Sequence, residues 1–262
     1  MIEMHSDSVS RRENMAMVSP RQLIQNHPDR ESGTPSNSIE VRFLRPGDVK
    51  ALITLEHAKW DQDQAADRVE LAARIQAFPG LSIGAFETGG AALASLFMKP
   101  ITTAELGSAA TWADCARVET PHPKATGSLF GISLSSVDAD AVTAIFEFFW
   151  PHALKHGWRD IYLGSPMPGL QAWRRANPDM PVEVYMREKR QDLPRDPQLR
   201  YYHNKGFKDI VACKSGYFPH TASLDYGAIL RGHIPLSAGA PLWRLVPLPW
   251  LKQMRRLLFR LV

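Results

Sequence analysis

Arg200-Tyr201-Tyr202-His203-Asn204-Lys205-Gly206-Phe207 is the stretch on which the reading of this chain turns. It lies on a short helix expected over residues 196–205 and leads into a strand over 207–213, with a last strand over 224–230. A tyrosine stands four residues before a Gly-Phe pair. His203 adjoins Tyr202, but neighbouring helical residues point about 100° apart, so the two do not share a face.

Upstream of this helix a long polar loop follows a strand over 159–164. Before that strand, Ser135 or Ser136 is placed to cap a helix that continues to His156, kinked near Pro151. An apolar strand spans 128–134 and is preceded by a loop over 99–127. Further back, strands over 81–87 and 91–98 flank Thr88-Gly89-Gly90, a hairpin signal. A helix over 65–77 stops at Phe78-Pro79-Gly80. The first firm elements are a strand over 39–44 and a helix to Lys59, which Asp48 is positioned to cap. The order is β, α, α, β, β, β, α, β, α, β, β, with no internal repeat, which fits one α/β domain with a mixed, mostly antiparallel twisted sheet flanked by helices.

The chain has 262 residues, 44% of them hydrophobic and 22% charged, enough for an apolar core and far from the composition of collagen or of a wholly disordered chain. No apolar run is long enough to span a bilayer and Met1 to Pro20 lacks a signal-peptide core, so a cytoplasmic location is expected. Cys115 and Cys213 are too few for a disulfide framework or a cysteine zinc site. The net charge of +4 is uneven. Residues 1–38 carry four basic and five acidic groups and read as a disordered leader. Residues 39–240 balance at 22 of each, and residues 241–262 carry five basic groups and no acidic one.

With the element order in hand, the Tyr-x-x-x-Gly-Phe segment resembles the GNAT superfamily of acyl-CoA N-acyltransferases. Trp60, Arg74-Ile75-x-x-Phe78-Pro79, Thr111-Trp112, Asp196-Pro197-x-Leu199, Tyr217 and Leu224-x-Tyr226-Gly227 look like a subgroup found free-standing or in polyketide loading modules. The resemblance covers residues 39–234. It implies a single acyltransferase domain there, an acyl-CoA or acyl-phosphopantetheine donor, and an amine acceptor. Tyr202 matches the acid that protonates the leaving thiolate, and an ordinary phenol pKa of roughly 10 suits a thiolate of comparable basicity. Ser165 matches a Ser or Thr facing the thioester. Trp60, Ser133, Leu134, Ser135, Ser136 and Tyr217 are the implied substrate-binding residues; His122, between Pro121 and Pro123 in the loop opposite the expected cleft, is a further substrate-contacting or base candidate, although a plain exposed loop histidine explains it better. Glu56 and His57 are possible bases on the amine side, although a solvated helix face explains them as well.

Two departures shape the expected chemistry. The superfamily's pyrophosphate turn carries glycines and an Arg or Gln; here it is Ser135-Ser136-Val137-Asp138-Ala139-Asp140, whose two acids repel phosphate at a helix N-terminus. A pantetheine arm on an acyl carrier protein has no need of that turn. In members of the subgroup that decarboxylate malonyl thioesters, a His stands at the position of Tyr202 and an Arg at that of Phe218. Their absence favours acyl transfer. Decarboxylation and a thioester-binding scaffold without turnover are the competing expectations.

His152 and His156 lack a third ligand of suitable spacing, so no metal is expected, and no Gly-x-Ser-x-Gly elbow marks a hydrolase. Residues 235–262 form a proline-interrupted linker and a helix from Trp250. Trp250, Leu251, Met254, Leu257, Leu258, Leu261 and Val262 fall on one arc of it; Lys252, Gln253, Arg256 and Arg260 fall on the other. Such a helix can dock on the body, lie on the inner membrane leaflet or grip an acidic carrier. Nucleic acid is not an expected partner, because the body offers no net positive field.

Overall fold

The computed structural model describes residues 38–60, 65–118 and 126–258. The leader expected over 1–38 thus falls, apart from Ser38, outside the described residues, as does the tail beyond Leu258. In chain order the elements are β1 (Glu40–Phe43), α1 (Val49–Lys59), α2 (Arg68–Ala77), β2 (Ser82–Phe86), β3 (Ala92–Pro100), α3 (Thr103–Ser108), α4 (Trp112–Ala116), β4 (Ser128–Ser136), α5 (Ala139–His156) and β5 (Asp160–Pro166). They continue with α6 (Leu170–Ala176), α7 (Val182–Arg187), β6 (Lys189–Arg190), β7 (Leu193–Pro194), α8 (Pro197–Asn204), β8 (Asp209–Lys214), β9 (Gly227–His233), α9 (Ala240–Trp243) and α10 (Leu248–Leu258). Seven strands make one sheet in the order β1-β2-β3-β4-β5-β9-β8, and only β4 and β5 run parallel.

Alternation along the strands sorts the core into two faces. On one, Phe86, Phe97, Phe130, Ile132, Tyr162 and Ile229 meet α1, α2 and α4. On the other, Ile83, Ala94, Leu96, Met98 and Leu129 meet α5. Beyond α5, the helices α6 to α8 cover Ala228 and Leu230 of β9 on that same second face.

Several local expectations are corrected, each for a visible reason. The loop over 99–127 contains α3 and α4, which open on reciprocal caps. Thr102 Oγ1 accepts Glu105 N at 3.1 Å while the Glu105 carboxylate accepts Thr102 N at 2.8 Å, and Thr111 and Asp114 repeat the arrangement. The polar loop after β5 likewise contains α6, α7 and the β6–β7 hairpin. Asp48 precedes α1 but does not cap it with its side chain; its carboxylate takes both Nη atoms of Arg42, at 2.7 and 2.8 Å, and the Arg45 amide. Asp138, not Ser135 or Ser136, caps α5, because pairing with β3 holds both serines in the strand. The last strand begins at Gly227, three residues late, since Leu224 and Asp225 have φ of 49° and 59°, outside strand geometry.

Among the described residues no helix is long and apolar enough to cross a membrane.

Candidate active site

The feature that organises the site is a gap in the sheet. β4 and β5 pair at only three positions, Ser128–Asp160, Leu129–Ile161 and Phe130–Tyr162. Beyond these, β4 stays paired with β3 through Ser136, and β5 with β9 through Pro166. The facing edges of the two strands therefore part. The β3–β4 register shifts between Phe97, opposite Ser133, and Met98, opposite Gly131, so Ile132 is an extra residue on β4. A bulge adds twist and bends its strand, which carries the end of β4 away from β5. Unpaired strand edges present amide and carbonyl groups that an extended amide-bearing arm can bond as a further strand would.

On the α1/α2 side of the gap lies a buried polar network. Trp60 Nε1 donates to Ser135 Oγ at 2.8 Å, and Ser135 Oγ donates to Glu56 Oε1 at 2.5 Å. Glu56 Oε2 accepts Ala66 N at 3.2 Å, and Glu56 is only 2% exposed. The reading of Glu56 as a solvated helix residue is thereby corrected. Leu52 and Leu55 are buried core residues of α1, and position 56 lies one helical turn from Leu52, on the face that meets the sheet. His57, by contrast, is exposed.

Two residues along β4, Arg74 Nη1 donates to Ser133 Oγ at 3.3 Å. Arg74 is 8% exposed, and its guanidinium stands 5.7 Å from the Phe97 ring centroid. Among the described residues that is its one side-chain hydrogen bond, and it has no ion pair. Burial pushes the guanidinium below its usual pKa, opposed by the charges of Glu70, Glu56 and Asp67. Directly across from Ser135 on β3, the buried Ser95 hydroxyl has no hydrogen-bond partner among the described residues. This side of the gap thus holds an acid, a cation and spare hydrogen-bonding capacity.

The opposite side is neutral. Tyr202, on α8, packs edge-on to Phe207 and joins the cluster formed by Leu170, Leu199 and Leu230. Burial pushes its phenol up to about 12, with Tyr201 adding and Gln198 opposing. The expected match to thiolate basicity is altered by that shift. An ordinary thiol has a pKa of roughly 8.5, so the Tyr202 phenol holds its proton more tightly than a thiol would.

What holds α8 is Asp196. Oδ1 caps the helix by accepting Gln198 N at 2.9 Å and Leu199 N at 3.2 Å; Oδ2 accepts Gly169 N at 3.0 Å and Tyr185 Oη at 2.8 Å. One fully buried carboxylate therefore ties α6, α7 and α8 together. Gly169 has to be glycine, since a Cβ would collide with Tyr185 Oη.

The remaining expected residues are distributed around this centre. Ser165 is fully buried near the end of β5, and its Oγ donates to Pro166 O at 2.9 Å. Leu134 packs under α5. Ser136 Oγ accepts Asp138 N at 3.0 Å and donates to Asp138 O at 2.7 Å. Tyr217 lies buried against Gly164 with its hydroxyl 3.4 Å from Cys115 Sγ. His122 is outside the described residues. The structure thus assembles Trp60, Ser133 and Ser135 around Glu56 and Arg74, and sets Tyr202 on the other face of the sheet.

The turn between β4 and α5 closes on itself. Asp138 Oδ1 accepts Asp140 N at 2.8 Å and Ala141 N at 2.9 Å, which uses amides that a phosphate at this helix end would need.

No protein-family model and no curated protein matches the chain. Solved structures do. The GNAT-like decarboxylase GphF, in complex with isobutyryl-CoA, superposes with a TM-score of 0.60 at 23% identity, over 74% of this chain and 99% of that one. The loading GNATL domain of CurA from Lyngbya majuscula superposes with a TM-score of 0.63 at 18% identity, over 76% of this chain and 98% of that one. The chain has the GNAT fold.

Proposed function

We propose that the protein transfers an acyl group from a pantetheine thioester to an amine. The reading rests on the gap between β4 and β5, because a strand edge left open beside a neutral phenol on one face and a carboxylate on the other suits aminolysis. The amine nitrogen attacks the thioester carbonyl and gives up a proton toward Glu56 through the Ser135 hydroxyl. The carbon–sulfur bond then breaks, the departing thiolate is stabilised by a hydrogen bond from the Tyr202 hydroxyl, and the released thiol takes its proton from water. Trp60 orients Ser135 by its indole hydrogen bond.

The favoured donor is an arm borne on an acyl carrier protein, since Asp138 occupies the amides that the pyrophosphate of free coenzyme A would use. Titration calorimetry and turnover with acetyl-CoA, long-chain acyl-CoA and an acylated carrier, across a panel of amines, test the reading. Amide formation with the carrier preferred supports it. Tight thioester binding with no product from any amine would mark a binding protein instead.

Arg74 favours one second reading. A buried guanidinium with a single hydrogen bond can receive a carboxylate, and a malonyl thioester carries one. Decarboxylation would then break the carbon–carbon bond, release carbon dioxide and leave an enolate to be protonated. Carbon dioxide release without any amine is its signature.

A further inference from the structure

The C-terminal helix packs only part of its surface. Leu251 is fully buried, and α10 lies along α5 with Lys252 Nζ 5.9 Å from the Phe148 ring centroid. The segment before it is pinned as well: Lys155 Nζ donates to the carbonyls of Arg244, at 2.6 Å, and Val246, at 3.0 Å, beside the α5 C-terminus. The Arg244 guanidinium lies over Gly157, whose φ of 78° ends α5; a Cβ there would stand 2.8 Å from Arg244 Nη2. This docking fixes which way the rest of the segment faces.

What faces outward is apolar and basic. Leu245 is 81% exposed and Trp250 65%, and Leu242 and Met254 are exposed too. Trp250 and Met254 stand one turn apart on one flank of α10. Residues 241–262 contain five basic groups and no acidic one, against a body of balanced charge. Isolated exposed leucines are ordinary, but four large apolar side chains within thirteen residues of an acid-free segment are not.

We propose that residues 242–254 form a docking surface for an anionic lipid membrane, with Trp250, Leu245, Leu242 and Met254 entering the interface and the exposed Lys252 beside them meeting the headgroups. Charge argues against a second copy, since the +5 tail repels its own like, and the exposed apolar side chains argue for a bilayer interface, where a tryptophan sits favourably, over an acidic protein, which would need only the charges. Leu251 stays with the body, so binding needs no detachment of α10.

Co-sedimentation of the full chain with phosphatidylcholine vesicles, with and without phosphatidylglycerol, tests this. Binding is expected to the anionic vesicles and to be at least about tenfold weaker to the neutral ones. Leu245→Ser with Trp250→Ser is expected to weaken binding to anionic vesicles about tenfold or more while leaving the thermal midpoint within a few degrees, since both side chains are exposed. Equal binding of both vesicle types, no binding to either, or undiminished binding by a folded double variant would overturn the proposal. So would a concentration-dependent dimer that the double variant abolishes, because the surface would then belong to a second copy.

Discussion

The two sides of the gap between β4 and β5 are built from different chemistry. On the α1/α2 side stand an acid and a cation: Glu56 accepts from Ser135 and the Ala66 amide, Trp60 donates to Ser135, and Arg74 donates to Ser133. On the other side, Tyr202 is held by hydrocarbon and aromatic neighbours, while the carboxylate that steadies its helix, Asp196, caps α8 from the far end of that helix. A charged group needs several donors to stay buried, whereas a phenol needs only one role and a dry wall. The difference teaches that the hydrogen-bonded acid and the neutral phenol lie on opposite faces of the sheet, each in the environment that suits it, which is the separation the proposed aminolysis would use.

Removing the donor should have the largest effect. Tyr202→Phe is expected to lower amide formation by about 10³-fold with the thermal midpoint little changed, read by steady-state kinetics and calorimetric melting. Glu56→Gln should cost about 10²-fold at neutral pH, and part of the loss should return as pH rises and the amine deprotonates by itself. A loss that does not depend on pH would mean that Glu56 only shapes the site.

The supports can be broken separately. Gly169→Ala should destabilise the fold by about 1–3 kcal/mol, because its Cβ displaces Tyr185 from Asp196, and denaturant melting measures this. Smaller still is the expected gain from Asp138→Gly. Freeing the amides of Asp140 and Ala141 should tighten coenzyme A binding about fivefold while leaving carrier-bound substrate unaffected.

The pH profile sharpens the contrast further. With the Tyr202 phenol raised to about 12, its proton is kept through the alkaline range, so the rate should climb as the amine deprotonates and show no fall between pH 7 and about 10.5. A falling limb centred near 10 would place the phenol in water.

Much of this was legible in the sequence where residue type and local geometry coincide. Gly206 at φ of 94° before Phe207 marks the end of the helix that carries Tyr202, and Thr88-Gly89-Gly90 makes the expected hairpin, with Gly90 at φ of 84°. The acidic start of α5 was also visible, because Asp138 and Asp140 stand at its cap and first turn. Less legible were α3 and α4, whose Thr-x-x-Glu and Thr-x-x-Asp caps lie in a stretch with little apolar period.

The acid on the α1 side was harder to see, for a physical reason. A glutamate in a helix is usually solvated, and its burial here depends on partners 10 and 79 residues away. Helical spacing from Leu52 offered the one local clue. Arg74 was visible only as part of a motif, and its position against Ser133 and Phe97 depends on the β4 bulge, which no local rule announces.

The central claim is that thioester cleavage is coupled to an amine. Measuring free thiol, amide and carbon dioxide in one reaction of the protein with an acylated carrier, with and without amine, tests it most directly. The account predicts thiol and amide in equal amounts, dependent on the amine, with no carbon dioxide from any donor. Carbon dioxide released from a malonyl donor at the same rate with the amine left out would contradict it.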